Sequence, residues 1–193
     1  MSRTSKTFAV GMLSAALALA VQAAAGQPAS LRNANDATRV VRGNGNALTA
    51  PSSADGSAVV AAWLRGKGLG SAANAMRTVS DKPDRKGIRQ LRLKQEVGGL
   101  QVYGAYAKAA VGKRGELLSI IENFVAVPTT GLKTASINEA TALQAAFTKL
   151  ALKDKVPGVV SRAGAVTQFA KGKGFVEHPS VTRVAVPLSD GSL

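Results

Sequence analysis

The chain contains no cysteine. No disulfide can brace it, and a thiol nucleophile or a thiolate metal site is excluded. Histidine is nearly as scarce: His178 stands alone, directly before Pro179. A zinc site of the HExxH kind needs two imidazoles one helical turn apart, which one histidine cannot supply. A Ser-His-Asp site would have to use the same residue, and no G-x-S-x-G turn is present to expose a serine. Aromatic residues make up 4% of the chain. That leaves no platform on which single-stranded bases could stack, and no zinc-finger or helix-turn-helix spacing accompanies the basic residues. Acidic residues number 11 against 25 basic. Glu96, Glu116, Glu122, Glu139, Asp154 and Asp190 fall where strand faces, caps and turns account for them, so no catalytic carboxylate pair is nominated. Lys171-Gly172-Lys173-Gly174 lacks the remainder of a G-x-x-x-x-G-K-[ST] phosphate loop. The sequence therefore nominates no catalytic and no metal-binding residue in this chain, and no cofactor.

Long apolar runs are missing too, except at the start. Arg3 and Lys6 precede an apolar stretch from Phe8 to Val21, and Ala23-Ala24-Ala25 follows. This is the pattern of a secretory signal peptide over residues 1–25 with cleavage at Ala25. The stretch is shorter than the ~20 residues a bilayer span requires. The expectation is an exported protein, secreted or periplasmic, with no membrane span once the signal is removed. Removal of Arg3 and Lys6 leaves 23 basic and 11 acidic residues, a net charge of +12. Such a balance favours anionic partners through long-range attraction. The basic residues are scattered, densest over Lys82 to Arg92 and at Lys171 to Lys173. The expectation is a solvated basic face, with no nucleic-acid partner.

Turning to what is present, residues 26–52 read as a flexible leader rich in Asn, Ala, Gly and Ser, with room for a short strand at Arg39–Arg42. Val59, Val60, Trp63 and Leu64 then recur at helical spacing, and Gly66 and Gly68 end that helix. Trp63 reads as a core anchor. Ser80 to Gly87 reads as a charged turn region containing Pro83. From Ile88 to Val125 the pattern is three strands. Leu91, Leu93, Gln95 and Val97 alternate with Arg92, Lys94 and Glu96, the period of a half-buried strand. Gly98-Gly99 suits a two-residue hairpin turn whose central positions both need positive φ. The chain returns through Leu100, Val102 and Tyr103, and turns again at Lys113-Arg114-Gly115 into Leu117 to Val125. Gly98, Gly99, Gly104 and Gly115 are expected to be structural, permitting turns and close strand approach. Odd spacing places Tyr103 and Tyr106 on opposite faces of the second strand.

The residues of this meander resemble a known module. Gln95, the Gly98-Gly99 turn, Leu100-Gln101-Val102-Tyr103-Gly104-Ala105 and Gly115-Glu116-Leu117-Leu118-Ser119 are similar, in order and spacing, to the fungalysin/thermolysin propeptide. A Gly stands where that family often has Asn at the head of the turn, a change the turn geometry tolerates. The Gly68-Leu69-Gly70 element fits the end of the helix that precedes the meander in such propeptides. The resemblance places a propeptide-like domain at 53–127.

Past Pro128 a second unit is expected over 132–193. Ser136-Ile137-Asn138-Glu139 has the form of a capping box. It opens a helix to Leu152 with Ala140, Leu143, Ala146, Phe147, Leu150 and Ala151 as its buried stripe. Strand-like runs follow at Val159 to Phe169 and Val181 to Leu188. This helix and its strands resemble the PepSY-type unit that follows in many such propeptides. Ser189-Asp190-Gly191-Ser192 reads as a hairpin turn whose returning strand is absent, so the unit is expected to be incomplete and the chain to be the front piece of a longer precursor.

The fold class expected from these patterns is α+β: an antiparallel meander with a packed helix, then an incomplete PepSY-like helix-strand unit. The resemblance implies the propeptide region of a secreted zinc metallopeptidase precursor. Such a region is an intramolecular chaperone and inhibitor of a catalytic domain that carries the zinc and lies outside this chain. The implied partner is that domain, bound in cis, or in trans after cleavage. Two alternatives remain open on the residues alone: a freestanding secreted inhibitor or binding module, and a basic protein adhering to the anionic cell envelope.

Overall fold

A computed structural model describes residues 38–129 and 131–193. The expected signal peptide with its cleavage at Ala25, and the expected leader up to residue 37, lie outside the described residues. The described residues fall into two compact units: 135–182, and a larger one joining 38–134 to 183–193. The class is α+β. Among the described residues, no helix is long and apolar enough to cross a membrane.

The larger unit runs β1 (Arg39–Arg42), α1 (Gly56–Gly66), α2 (Gly70–Asn74), β2 (Met76–Pro83), β3 (Arg89–Val97), β4 (Leu100–Val111) and β5 (Leu117–Glu122). The strands form one antiparallel sheet in the order β1-β5-β4-β3-β2. Helix α1 buries Val59, Val60, Ala61 and Leu64, while Trp63 is half-buried at the margin with the Lys67 ammonium 5.8 Å from its ring. Gly68 takes φ +76° as the helix ends, and its amide bonds back to the Arg65 carbonyl. At the other end a Cβ on Gly56 would lie 3.1 Å from the Leu91 methyl carbons, so α1 starts in close contact with β3. The inner sheet face contributes Leu91, Leu93, Ala105, Ala107, Ala109, Val111, Leu117 and Ile120, closed by Phe124. Burying this much apolar surface is the main stabilising contribution to a chain without disulfides.

Three readings of this unit are corrected. Ser80–Pro83 is strand, not turn: β2 pairs with β3 from Met76↔Gln95 to Pro83↔Arg89. The turn is Asp84–Gly87, where the Asp84 carboxylate accepts from the Lys86 and Ile88 amides. Pro83 is tolerated because β2 is an edge strand. The leader is not loose from Arg39 onward. Besides pairing β1 with β5, it bonds Gly43 to Leu118, Leu48 to Leu117 and Ser52 to Arg114 through the backbone. Polar composition suggested disorder, but an open edge of β5 offers this segment a full set of backbone partners.

The C-terminal tail carries the third correction. No continuous strand runs from Val181 to Leu188. Beyond Thr182 the chain belongs to the larger unit, where Ala185 forms a parallel bridge with Val102. The Ala185 amide donates to the Gln101 carbonyl (2.9 Å) and its carbonyl accepts from the Tyr103 amide (2.7 Å). The Asp-Gly turn closes on itself through Leu188 N–H to the Ser192 carbonyl, and Leu193 is buried in the core. No half-hairpin is left open.

The smaller unit contains α3 (Glu139–Lys149) and the sheet β6-β7-β8, formed by Val159–Ala163, Val166–Phe169 and Ser180–Thr182. The helix is shorter than its sequence pattern. Asn138, not Ser136, caps it: its Oδ1 accepts from the Thr141 amide at 2.9 Å. Of the expected stripe only Leu143 and Phe147 are buried, and Leu150 is exposed beyond the last turn. The run from Val159 to Phe169 is a hairpin, reversed at Gly164 (φ +56°). Phe169 joins Leu143 and Phe147 in a small core, with Phe175 stacked 5.3 Å from Phe147.

Candidate interaction face

The meander is shaped by a distortion in β4. Lys94 pairs with Tyr106 and Glu96 with Gln101, so Gln95 alone faces the four residues Val102–Ala105. Gly104 takes φ +71° inside this bulge. The extra residues change the phase of the strand: Val102 and Ala105 point inward, and Tyr103 and Tyr106 both point outward, 48% and 38% exposed. The expectation that the tyrosines lie on opposite faces is thus corrected, because alternation by twos does not survive a bulge.

Two amides hold the bulge. Gln95 is fully buried; its Nε2 donates to the Val125 carbonyl at 2.7 Å and its Oε1 accepts from the Val125 amide at 3.0 Å. Asn123 donates through Nδ2 to the Gly104 carbonyl (2.7 Å) and accepts from the Tyr106 amide through Oδ1 (2.8 Å). Each side chain imitates a strand partner where the ladder is interrupted, satisfying the Val125, Gly104 and Tyr106 backbone groups. Glu122, also fully buried, receives the Phe124 amide and the Arg39 guanidinium, which fastens β1 to the sheet.

The turn glycines occupy positions other residues would strain. Gly98 and Gly99 take φ +56° and +76°, the pair of positive values a two-residue hairpin requires. Gly115 takes φ +77°, and a Cβ there would lie 1.8 Å from the Ser52 carbonyl oxygen, so the turn after β4 is held directly against the former leader. Beside it Glu116 accepts from the Arg114 amide at 3.0 Å. Its carboxyl is held below the usual range chiefly by its own backbone amide, with the Arg114 charge adding to the effect against the opposing influence of burial.

One face of the sheet is packed against the helices; among the described residues the other is largely exposed. Strand pairing assigns its rows. Val40, Ile121, Lys108, Arg92 and Ser80 are aligned across five strands. On one side of that row lie Arg42, Ser119, Ala110, Gln90 and Lys82; on the other, Tyr106, Lys94 and Arg77. Arg42, Arg77, Lys82, Arg92 and Lys108 are exposed, and Lys94 is partly so. Among the described strand residues, Glu96 is the carboxylate on this face, 3.5 Å from Lys94. The Lys108 ammonium lies 5.9 Å from the centre of the Tyr106 ring. Neighbouring strands are about 4.8 Å apart, so these cations form a two-dimensional array, not a line. In the sequence they look scattered. The even-numbered alternation of Arg92, Lys94 and Lys108 is a partial signal, but only register joins them to Arg77 and Arg42.

Elsewhere the expected non-participants are placed as follows. His178 lies in the loop before β8 with Nδ1 2.9 Å from the Phe169 carbonyl oxygen. Asp190 is tied to the Ser192 hydroxyl (2.6 Å) and amide (2.9 Å) and lies 3.6 Å from the Lys133 ammonium. Lys171 to Gly174 are exposed, with a turn over 172–174. Among the described residues no group of three or more His, Cys, Asp or Glu could hold a metal ion.

No curated protein matches the chain. Residues 74–124, from the end of α2 through β5 to Phe124, match the family model of the Fungalysin/Thermolysin Propeptide Motif, and the bulged, glycine-turned meander is therefore the part of this chain that carries a propeptide motif.

Proposed function

We propose that this chain is the signal peptide and propeptide region of a secreted zinc metallopeptidase precursor. In this reading residues 1–25 direct export and are cleaved after Ala25, 53–127 form the propeptide domain, and the PepSY-like unit, read in the sequence as 132–193, is confined to 135–182 because residues 183–193 join the larger unit. Together they assist folding of the catalytic domain and inhibit it until they are removed. The observation that carries the reading is the motif match over residues 74–124. Within that range the buried Gln95 and Asn123 and the turn glycines Gly98, Gly99 and Gly115 hold the meander in shape. A partner that binds the native enzyme and not its unfolded chain stabilises the enzyme by mass action. Tethering in one chain raises the effective concentration, so inhibition is strong before cleavage and weakens after it.

The test is the coding sequence beyond Leu193, followed by an activity assay. An in-frame HExxH within the next few hundred codons, and inhibition of the purified catalytic domain by added propeptide, are expected. A stop codon directly after Leu193, or a catalytic domain that folds at full yield without this region and is not inhibited by it, overturns the reading.

A further inference from the structure

The proposed function gives no role to the outer face of the sheet, where strand pairing aligns Arg77, Arg92, Lys94 and Lys108. We propose that this face, centred on Arg77, Arg92, Lys94 and Lys108, docks an acidic surface of a folded protein. Resting on the propeptide reading, we take that protein to be the metallopeptidase catalytic domain. Six cationic residues share the face with one carboxylate, Glu96. The chain as a whole is basic, but the balance of charge is sharper here than its 25 to 11 ratio. A face of one sign steers an oppositely charged partner and rejects like-charged ones.

The form of the array favours a folded protein over a linear polyanion. Its charges extend across β2, β3 and β4 and reach Arg42 on β1, where a single extended chain could follow only one row. The cations are interleaved with exposed apolar and aromatic surface: Tyr106 and Val40, beside the partly buried Ile121. Tyrosine and arginine amid apolar residues are the composition of protein interfaces, where the aromatic anchors and the cation meets a carboxylate. Lys94 is already paired with Glu96, whereas Arg77 donates to the Asn74 and Met76 carbonyls and, like Arg92 and Lys108, is in none of the ion pairs of the described residues, so these three would carry most of the attraction.

The experiment uses the exported chain, the catalytic domain of the same precursor, and heparin as the linear polyanion, at 50 and 300 mM salt. The variant Arg77→Glu/Arg92→Glu/Lys108→Glu changes exposed side chains on the outer face. A control, Lys149→Glu/Lys153→Glu/Arg162→Glu, makes the same charge change on exposed residues of the smaller unit. The expected result is binding to the catalytic domain that weakens about tenfold or more in the face variant and with added salt, and little in the control. Wild-type inhibition with equal loss in both variants, or with none in either, overturns the docking face while leaving the propeptide reading intact. Face-dependent binding to heparin without binding to the catalytic domain overturns both, and identifies a linear polyanion as the ligand. Circular dichroism of each variant checks that the sheet is retained.

Discussion

The two units of this chain are both helices packed on antiparallel sheets, yet they are held together differently. In the meander unit a continuous apolar core runs from Val60 and Leu64 through Leu91, Leu93 and Ile120 to Phe124, reinforced by the side chains of Gln95, Asn123 and Glu122. In the 135–182 unit the described core consists of Leu143, Phe147 and Phe169 with a margin of half-buried neighbours, and every residue of β6 is exposed. Stability scales with apolar area removed from water, so the meander unit is expected to be the persistent part and the smaller unit the first to open. The cation array is built on the persistent part. A docking face needs its charges at fixed spacing, and a thin unit cannot guarantee that.

The sharpest way to break the comparison is to remove one phenylalanine from each unit. Phe124→Ala leaves a cavity in the continuous core and is expected to destabilise the meander unit by about 3–5 kcal/mol, measured by denaturant unfolding. Phe169→Ala makes the same chemical change in a core too small to absorb it. Amide exchange should show the 159–169 hairpin losing protection while Leu91, Leu93 and Ile120 keep theirs. Equal loss in both places would mean that the chain unfolds as one body and that the contrast has no energetic content.

Next in size is Gln95→Leu, which keeps the volume but strands the Val125 amide and carbonyl. A loss of about 2–4 kcal/mol is expected, on the order of two buried groups left unpaired. An unchanged denaturation midpoint would show that the core alone supports the bulge. In the smaller unit Asn138→Ala removes the cap of α3 and is expected to cost about 1 kcal/mol, visible as lost helicity confined to that unit.

Acid offers the mildest perturbation. The Asp190 carboxyl is held below its ordinary range first by the Ser192 hydroxyl, then by the Ser192 amide, with Lys133 assisting. A group whose folded pKa is depressed contributes stability above its unfolded pKa, and loses it as pH falls through the folded value. The tail around Leu193 should therefore loosen at pH below the usual carboxylate range and remain fixed at neutral pH. Asp190→Asn is expected to abolish that dependence, with tail amide exchange as the readout.

Much of the meander was legible because its signals are local. Alternation over Leu91–Val97, two glycines at a hairpin turn and a helical repeat at Val59–Leu64 depend on neighbours a few residues away. They found β3, β4, β5 and α1. The α3 boundary was misread for an equally local reason: Ser136 and Asn138 both suit a cap, and only geometry selects one. Three features could not be read. Pairing of Arg39–Arg42 with β5 joins residues about 80 positions apart. Docking of Ala185 on Val102 does the same across a similar distance. The bulge at Gly104 depends on what the facing strand and Asn123 can satisfy, and it reversed the expected placement of Tyr103 and Tyr106.

By itself the sequence determined the α+β class, the turn-by-turn path of the central hairpins, the excess of positive charge and the propeptide resemblance, since each is written in short-range spacing or in composition. Only the tertiary structure decided which strands sit side by side, and therefore which cations share a surface. Register is set by long-range pairing and by a bulge that changes phase, and neither leaves a mark within the few residues over which sequence periodicity can be read.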